Sequence, residues 1–268
     1  MKRAAFALAL CACAHAPQRR VEFTEPEVIT AAPDPVQREL DAARQEHDEG
    51  KLVEAAARLH ALAQRPGLPA VARAAALMQE GVCKVESGAR AEGELLLRDA
   101  LEIYDKQSAQ EAIDPSLPAQ AEFWLGEAYR GSFRALPLDP AAMDEHALAD
   151  ALEQKAQFLL SAQGHYLRCI RRGDGEWATA AGFRIGELYE ALHDEMVGAP
   201  LPSGLSDDQR ALYQEELRAR VRNLIQKAIH IYQETIDVAQ RTGAKNSYVE
   251  KTEQALERMR KLMLEGSP

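Results

Sequence analysis

The chain lacks the residue spacings of the common catalytic sites. It contains no HExxH, no glycine-rich loop ending in Lys-Ser or Lys-Thr, no GxSxG and no paired CxxC. The metalloprotease, phosphate-loop, serine-hydrolase and dithiol chemistries that depend on those spacings are therefore not signalled. Long β-branched runs are absent and aromatic residues make up only 6%, which argues against a sheet-built core. No apolar run approaches the roughly 20 residues that span a bilayer as a helix. Basic residues are outnumbered by acidic ones, 32 to 42, for a formal charge of −10. That balance disfavours nucleic acid, whose phosphates are met by clustered Lys and Arg, and disfavours lying flat on anionic lipid. Four cysteines in 268 residues are too few for a disulfide framework.

What the chain does have begins at its first residues, MKRAAFALALCAC. Lys2 and Arg3 form a positive start, residues 4–12 a short apolar stretch, and Leu10-Cys11-Ala12-Cys13 resembles a lipobox, in which a cysteine is lipidated and becomes the new N-terminus. Cys13 fits better than Cys11 because a small residue, Ala12, precedes it, where Cys11 follows Leu10. The resemblance implies a signal peptide over residues 1–12 and a mature protein held on a membrane through lipid on Cys13. Ala14 stands where an Asp would favour inner-membrane retention, so the resemblance implies an outer-membrane lipoprotein facing the periplasm. Loss of Lys2 and Arg3, with no acid lost, takes the formal charge from −10 to −12. Lipid would then do the holding.

Residues 13–35 carry four prolines, Pro17, Pro26, Pro33 and Pro35, and no apolar period. They read as a tether, a proline-rich spacer reaching up to roughly 60 Å, or else as a tail without a spacing role. From residue 36 to 268, Ala, Leu, Glu, Gln and Arg dominate, and glycines and prolines fall between periodic segments. The pattern predicts helices over 36–49, 52–65, 69–87, 90–106, 116–133, 141–171, 175–197, 206–241 and 246–264, joined as antiparallel pairs. Ser206 with Gln209 is an expected capping box, and Gly243 an expected helix stop.

Two segments share a pattern, FWLGEAY (123–129) and FRIGELY (183–189), with weaker partners around Gly81 and around Gly50, Leu52, Ala55 and Leu59. They resemble the tetratricopeptide repeat, in which a small residue lets paired helices approach and an aromatic one turn later fills the gap. The small positions Ala43, Gly81, Gly126 and Gly186 are 38, 45 and 60 residues apart, against about 34 in the regular repeat. The expected fold is thus all-α, an irregular tetratricopeptide-like α-solenoid with longer C-terminal helices. The second half, roughly 150–250, is also similar to envelope repeat proteins of myxobacterial type, a resemblance that implies no enzyme activity.

Transferring the register of such repeats selects Phe123, Glu127, Arg130, Phe183, Glu187 and Glu190 as surface residues of a concave, partner-binding face. Phe123, Arg130 and Phe183 are the expected anchors, since aromatic and Arg side chains tend to dominate interface energies. The opposing reading buries both phenylalanines between neighbouring pairs. His165 and Cys169 share one helical face, but two ligands do not hold zinc; packing is expected instead, with no metal and no cofactor. His193-Asp194-Glu195 reads as a solvated helix end, and Cys83 and Cys169 as buried free thiols, with one bridge in an oxidising compartment as the alternative. The expected function is a lipid-anchored interaction scaffold that holds a segment of another envelope protein in a helical groove, with no nucleic acid or small-molecule substrate. The alternative is an enzyme, or enzyme regulator, acting on cell-wall material through groove carboxylates. A convergent set of acids with one raised pKa would favour the enzyme.

Overall fold

The computed structural model of the protein describes residues 34–109, 112–139, 142–201 and 204–265. The leader, Cys13 and all of the tether but Asp34 and Pro35 lie outside the described residues. Among the described residues the regular structure is helical throughout: α1 (Pro35–Asp48), α2 (Leu52–Ala63), α3 (Ala70–Glu86), α4 (Arg90–Ser108), α5 (Ser116–Ala135), α6 (Glu145–Arg171), α7 (Gly175–Gly198), α8 (Asp207–Thr242) and α9 (Ser247–Glu265). They belong to one compact unit that begins at Asp34.

Local chemistry sets the ends. Asp34 accepts a hydrogen bond from the Val36 amide with Pro35 in the first helical position, so α1 starts inside the last residues assigned to the tether. Asp144 accepts from the Ala147 amide and starts α6 four residues later than its composition predicts. Asp174 caps α7 in the same way. The Ser206–Gln209 capping box is present, and Gly243 ends α8 in the left-handed conformation at φ 75°.

Consecutive helices pack on each other as antiparallel pairs in a repeat-like array. In addition the backbones of α1 and α3, α3 and α5, α5 and α7, and α7 and α9 come close, whereas those of no two even-numbered helices do. One row of the array is therefore tight and the other open, and the odd-numbered row lines the inner side. The apolar core is continuous along the array in three adjoining clusters. One joins α1 to α3 around Leu59 and Leu62, the next joins α3 to α5 around Met78, Leu97 and Leu125, and the largest joins α5 to α9 around Phe133, Tyr166, Leu188 and Tyr232.

The small positions do bring paired helices together. A Cβ on Gly126 would overlap the Tyr166 ring of α6, one on Gly186 would overlap the Tyr232 ring of α8, and one on Gly81 would lie 2.8 Å from Leu97 Cγ of α4. The ring that fills the gap is not the one in the sequence motif, however. Tyr129 and Tyr189, one turn after the glycines, reach back to the preceding pair: the Tyr129 hydroxyl donates to Glu94 of α4 at 2.7 Å, and the Tyr189 hydroxyl to Gln163 of α6 at 2.9 Å. The motif tyrosines thus join neighbouring pairs, while the ring over Gly126 comes from α6 and the ring over Gly186 from α8, and at Gly81 the outer helix α4 supplies Leu97 instead.

Candidate functional site on the inner row

Phe123 and Phe183 are not surface anchors. They are 3% and 7% exposed, and both belong to the large core cluster. Phe123 packs against Tyr166, Trp177 and Tyr248 with ring centroids 5.7, 5.2 and 6.4 Å away. Phe183 meets Tyr232 and Tyr248 at 6.1 and 5.8 Å. The reason is tertiary: α7 and α9 deliver Trp177 and Tyr248 against that flank of α5, so the expected groove is filled from within the chain.

The four charged candidates are brought together, half-buried, on α5 and α7. Glu127 receives Arg130 Nη2 at 2.6 Å within its own helix and the Tyr166 hydroxyl at 2.5 Å from α6. Across the pair boundary Arg184 Nε of α7 lies 3.1 Å from Glu127 Oε1. It is off the line of a hydrogen bond, so this contact is ionic. Arg184 Nη1 donates to Glu187 at 2.5 Å, and Arg130 Nη1 is 4.0 Å from the same carboxylate. Glu190 stands at the end of the row, accepting from the Tyr232 hydroxyl at 2.9 Å and from Arg258 of α9 at 3.2 Å. Burial raises the Glu127 carboxyl, but the hydrogen bond and charge of Arg130 and the charge of Arg184 outweigh it, and its pKa lies below the ordinary value. The Tyr166 phenol is pushed well above its ordinary value by burial and then by the neighbouring Glu127 charge.

Arg184, Tyr166, Tyr232 and Arg258 escaped the reading of the sequence. Arg184 occupies in the second motif the place of Trp124 in the first, and that exchange of an aromatic for a cation opposite Glu127 was the one signal in the chain. The tyrosines come from outer helices, 39 and 42 residues from the carboxylates that they meet.

A second cluster surrounds Glu122, which is buried on α5. It accepts from His165 Nδ1 at 2.9 Å and Arg168 Nε at 3.1 Å, while Arg172 spans to Asp105 of α4 at 2.6 Å. Burial raises the Glu122 carboxyl, and His165 and Arg168 bring it below its ordinary value. His165 also stacks on Tyr129 with centroids 5.6 Å apart. Its one-turn neighbour Cys169 donates its thiol to the Trp177 carbonyl, so the two face different partners. Among the described residues no group of three His, Cys, Asp or Glu side chains has the arrangement of a metal site. Cys83 and Cys169 are buried free thiols, and burial pushes Cys83 up to about 11.

In the segment His193-Asp194-Glu195, expected as a solvated helix end, only Asp194 is exposed. His193 is buried, and Glu195 pairs at 2.7 Å with Lys155, a lysine only 1% exposed. The Lys155 ammonium also donates to the carbonyls of Phe133 and Leu136, at 2.9 and 2.5 Å, and so caps the C-terminal end of α5. Glu195 accepts from the Leu138 amide as well. Sequence spacing gives no hint of this, because the partners are 40 and 57 residues apart.

No protein-family model matches the chain, and comparison with curated proteins gives no match.

Proposed function

We propose that the protein is a tetratricopeptide-like, lipid-anchored scaffold of the cell envelope, which holds a segment of a partner protein along the odd-numbered row of helices. The observation that carries this reading is the row itself: helices in continuous contact, on which Glu127, Arg130, Arg184, Glu187 and Glu190 stand side by side, largely buried but each still 10–25% open to solvent. Recognition there is polar. Mixed charges set register and partner choice, and Phe123 and Phe183 hold the row from beneath. The acids are matched to arginines, which favours recognition over proton transfer as the use of this row. Anchoring through lipid on Cys13 at the outer membrane rests on the lipobox resemblance of residues 10–13 and on Ala14.

Two variants test the two halves of the proposal. Cys13→Ala should move the protein from the membrane pellet to the soluble fraction after a high-salt wash, with helicity unchanged; continued sedimentation would remove the anchor. Partners cross-linked to the intact lipoprotein in membranes should be lost on Glu187→Lys with Glu190→Lys. An unchanged set of cross-linked proteins would move the binding face elsewhere.

A further inference from the structure

Because α2 and α4 do not touch, a cleft of about 660 Å³ opens between them, with α3 as its floor. Its walls are apolar over most of their height, with His60 of α2 and Glu92 of α4 as their polar groups: Val53 of α2 and Leu95 of α4, 74% and 66% exposed, stand beside Leu52, Ala56 and Leu96. On the floor lies Glu80, only 5% exposed. Its Oε1 is 3.1 Å from His60 Nδ1. Its Oε2 is buried and has no hydrogen-bond partner. The neighbouring ammonium does not serve it, since Lys84 of the floor donates to Glu92 of the α4 wall at 2.7 Å. A buried carboxylate oxygen without a donor is an unfavourable arrangement in a protein interior, and here it coincides with an open cleft lined by hydrocarbon.

We propose that this cleft takes the side chain of a lysine or arginine carried by a partner polypeptide, with its methylene stem between α2 and α4 and its cationic head on Glu80. Such a side chain combines an apolar stem with a tip that only donates, and so matches both parts of the site. The charge is complementary, because the lining offers the carboxylates of Glu80 and Glu92 against the one ammonium of Lys84, beside His60. Burial raises the Glu80 pKa, with the charge of His60 opposing it. A bound cation reverses that shift, so the site tightens as pH rises through the raised value. The cleft lies between even-numbered helices and stands independently of the inner-row reading.

The probe is the capped peptide acetyl-Ala-Leu-Lys-Leu-Ala-amide, titrated into the full chain with amide chemical shifts followed by NMR. Analogues carry norleucine or glutamate in place of the lysine. Saturable shifts are expected at the amides of 52–60, 80–87 and 92–96, with the norleucine peptide binding about ten-fold more weakly and the glutamate peptide not at all. Glu80→Gln should abolish the preference for lysine. Ala57→Trp, which fills the cleft from its exposed rim, should abolish the shifts for every peptide. Equal binding of lysine and norleucine peptides, shifts centred elsewhere, or no saturable shift would overturn the proposal. If Glu80→Gln loses helicity, the Ala57→Trp variant decides: persistence of the lysine-peptide shifts overturns the site, and their loss with helicity intact supports it.

Discussion

Gly126 and Gly186 hold equivalent places, each pressed against a tyrosine ring whose hydroxyl donates to a glutamate of the inner helix: Tyr166 to Glu127, and Tyr232 to Glu190. A methyl group at either glycine has nowhere to go without moving a fully buried ring. Gly126→Ala is expected to destabilise by about 1–3 kcal/mol through overpacking. At Gly164, within α6, a Cβ would meet only the tip of Arg168, at 3.6 Å, so Gly164→Ala should instead stabilise by about 0.5–1 kcal/mol through helix propensity. Urea unfolding of the two variants checks the sign of each. The glycines were legible in the sequence because a small residue at a helix crossing leaves a local trace. Which aromatic fills the gap was not, since the motif offers Tyr129 and Tyr189 while the rings come from helices whose approach is set by packing. The same limit applies to Phe123: its own neighbours in sequence are compatible with groove or core, and Trp177 and Tyr248 make it core.

Charge ties helix ends and neighbouring helices together, as Lys155 and Arg184 illustrate. Lys155 closes the end of α5 and is neutralised by Glu195 of α7. Lys155→Met leaves the carbonyls without their donor and the Glu195 charge without its cation, and should cost about 3–5 kcal/mol in guanidinium unfolding; Lys155→Met with Glu195→Leu should recover much of that, because no unmatched charge remains. Arg184 links α7 to α5 through Glu127. The folded-state pKa of Glu127 is lowered, so its contribution is complete above the unfolded value of about 4.3 and is lost as pH falls through the lower folded value. Glu94 and Glu122 are lowered as well and act in the same direction. Removing Arg184 weakens the lowering, and Arg184→Gln should therefore shift the midpoint of acid unfolding to higher pH, as followed by circular dichroism. A midpoint at or below that of the native protein would show that this ion pair contributes nothing to folding.

Across the whole array the core is divided among three adjoining clusters, and the one at the N-terminal end, around Leu59 and Leu62, draws only on α1, α2 and α3. In a quasi-linear array each pair is stabilised by its neighbours alone, so an end pair opens more readily than the middle. Leu59→Ala, which removes a fully buried side chain at a cost of about 2–5 kcal/mol, should lower native-state hydrogen-exchange protection of the α1 and α2 amides. Protection of α7 and α8 should stay unchanged. Loss of protection along the entire chain would show a single cooperative unit instead.

Composition, helix periodicity and turn residues were enough to establish an all-α array, the approximate limits of its helices, the Ser206 capping box and the glycines at the crossings. All of these depend on forces acting within a few residues: propensity, capping, and the period of 3.6 that puts apolar side chains on one face. Longer-range packing decided the rest. It turned Phe123 and Phe183 inward, placed Arg184 opposite Glu127 and buried Lys155 against Glu195. It also held α2 and α4 apart over an unpartnered Glu80 oxygen. Each of these joins residues about 20 or more positions apart, or depends on helices separated by another, and the relative approach of such elements follows from how all the pairs stack.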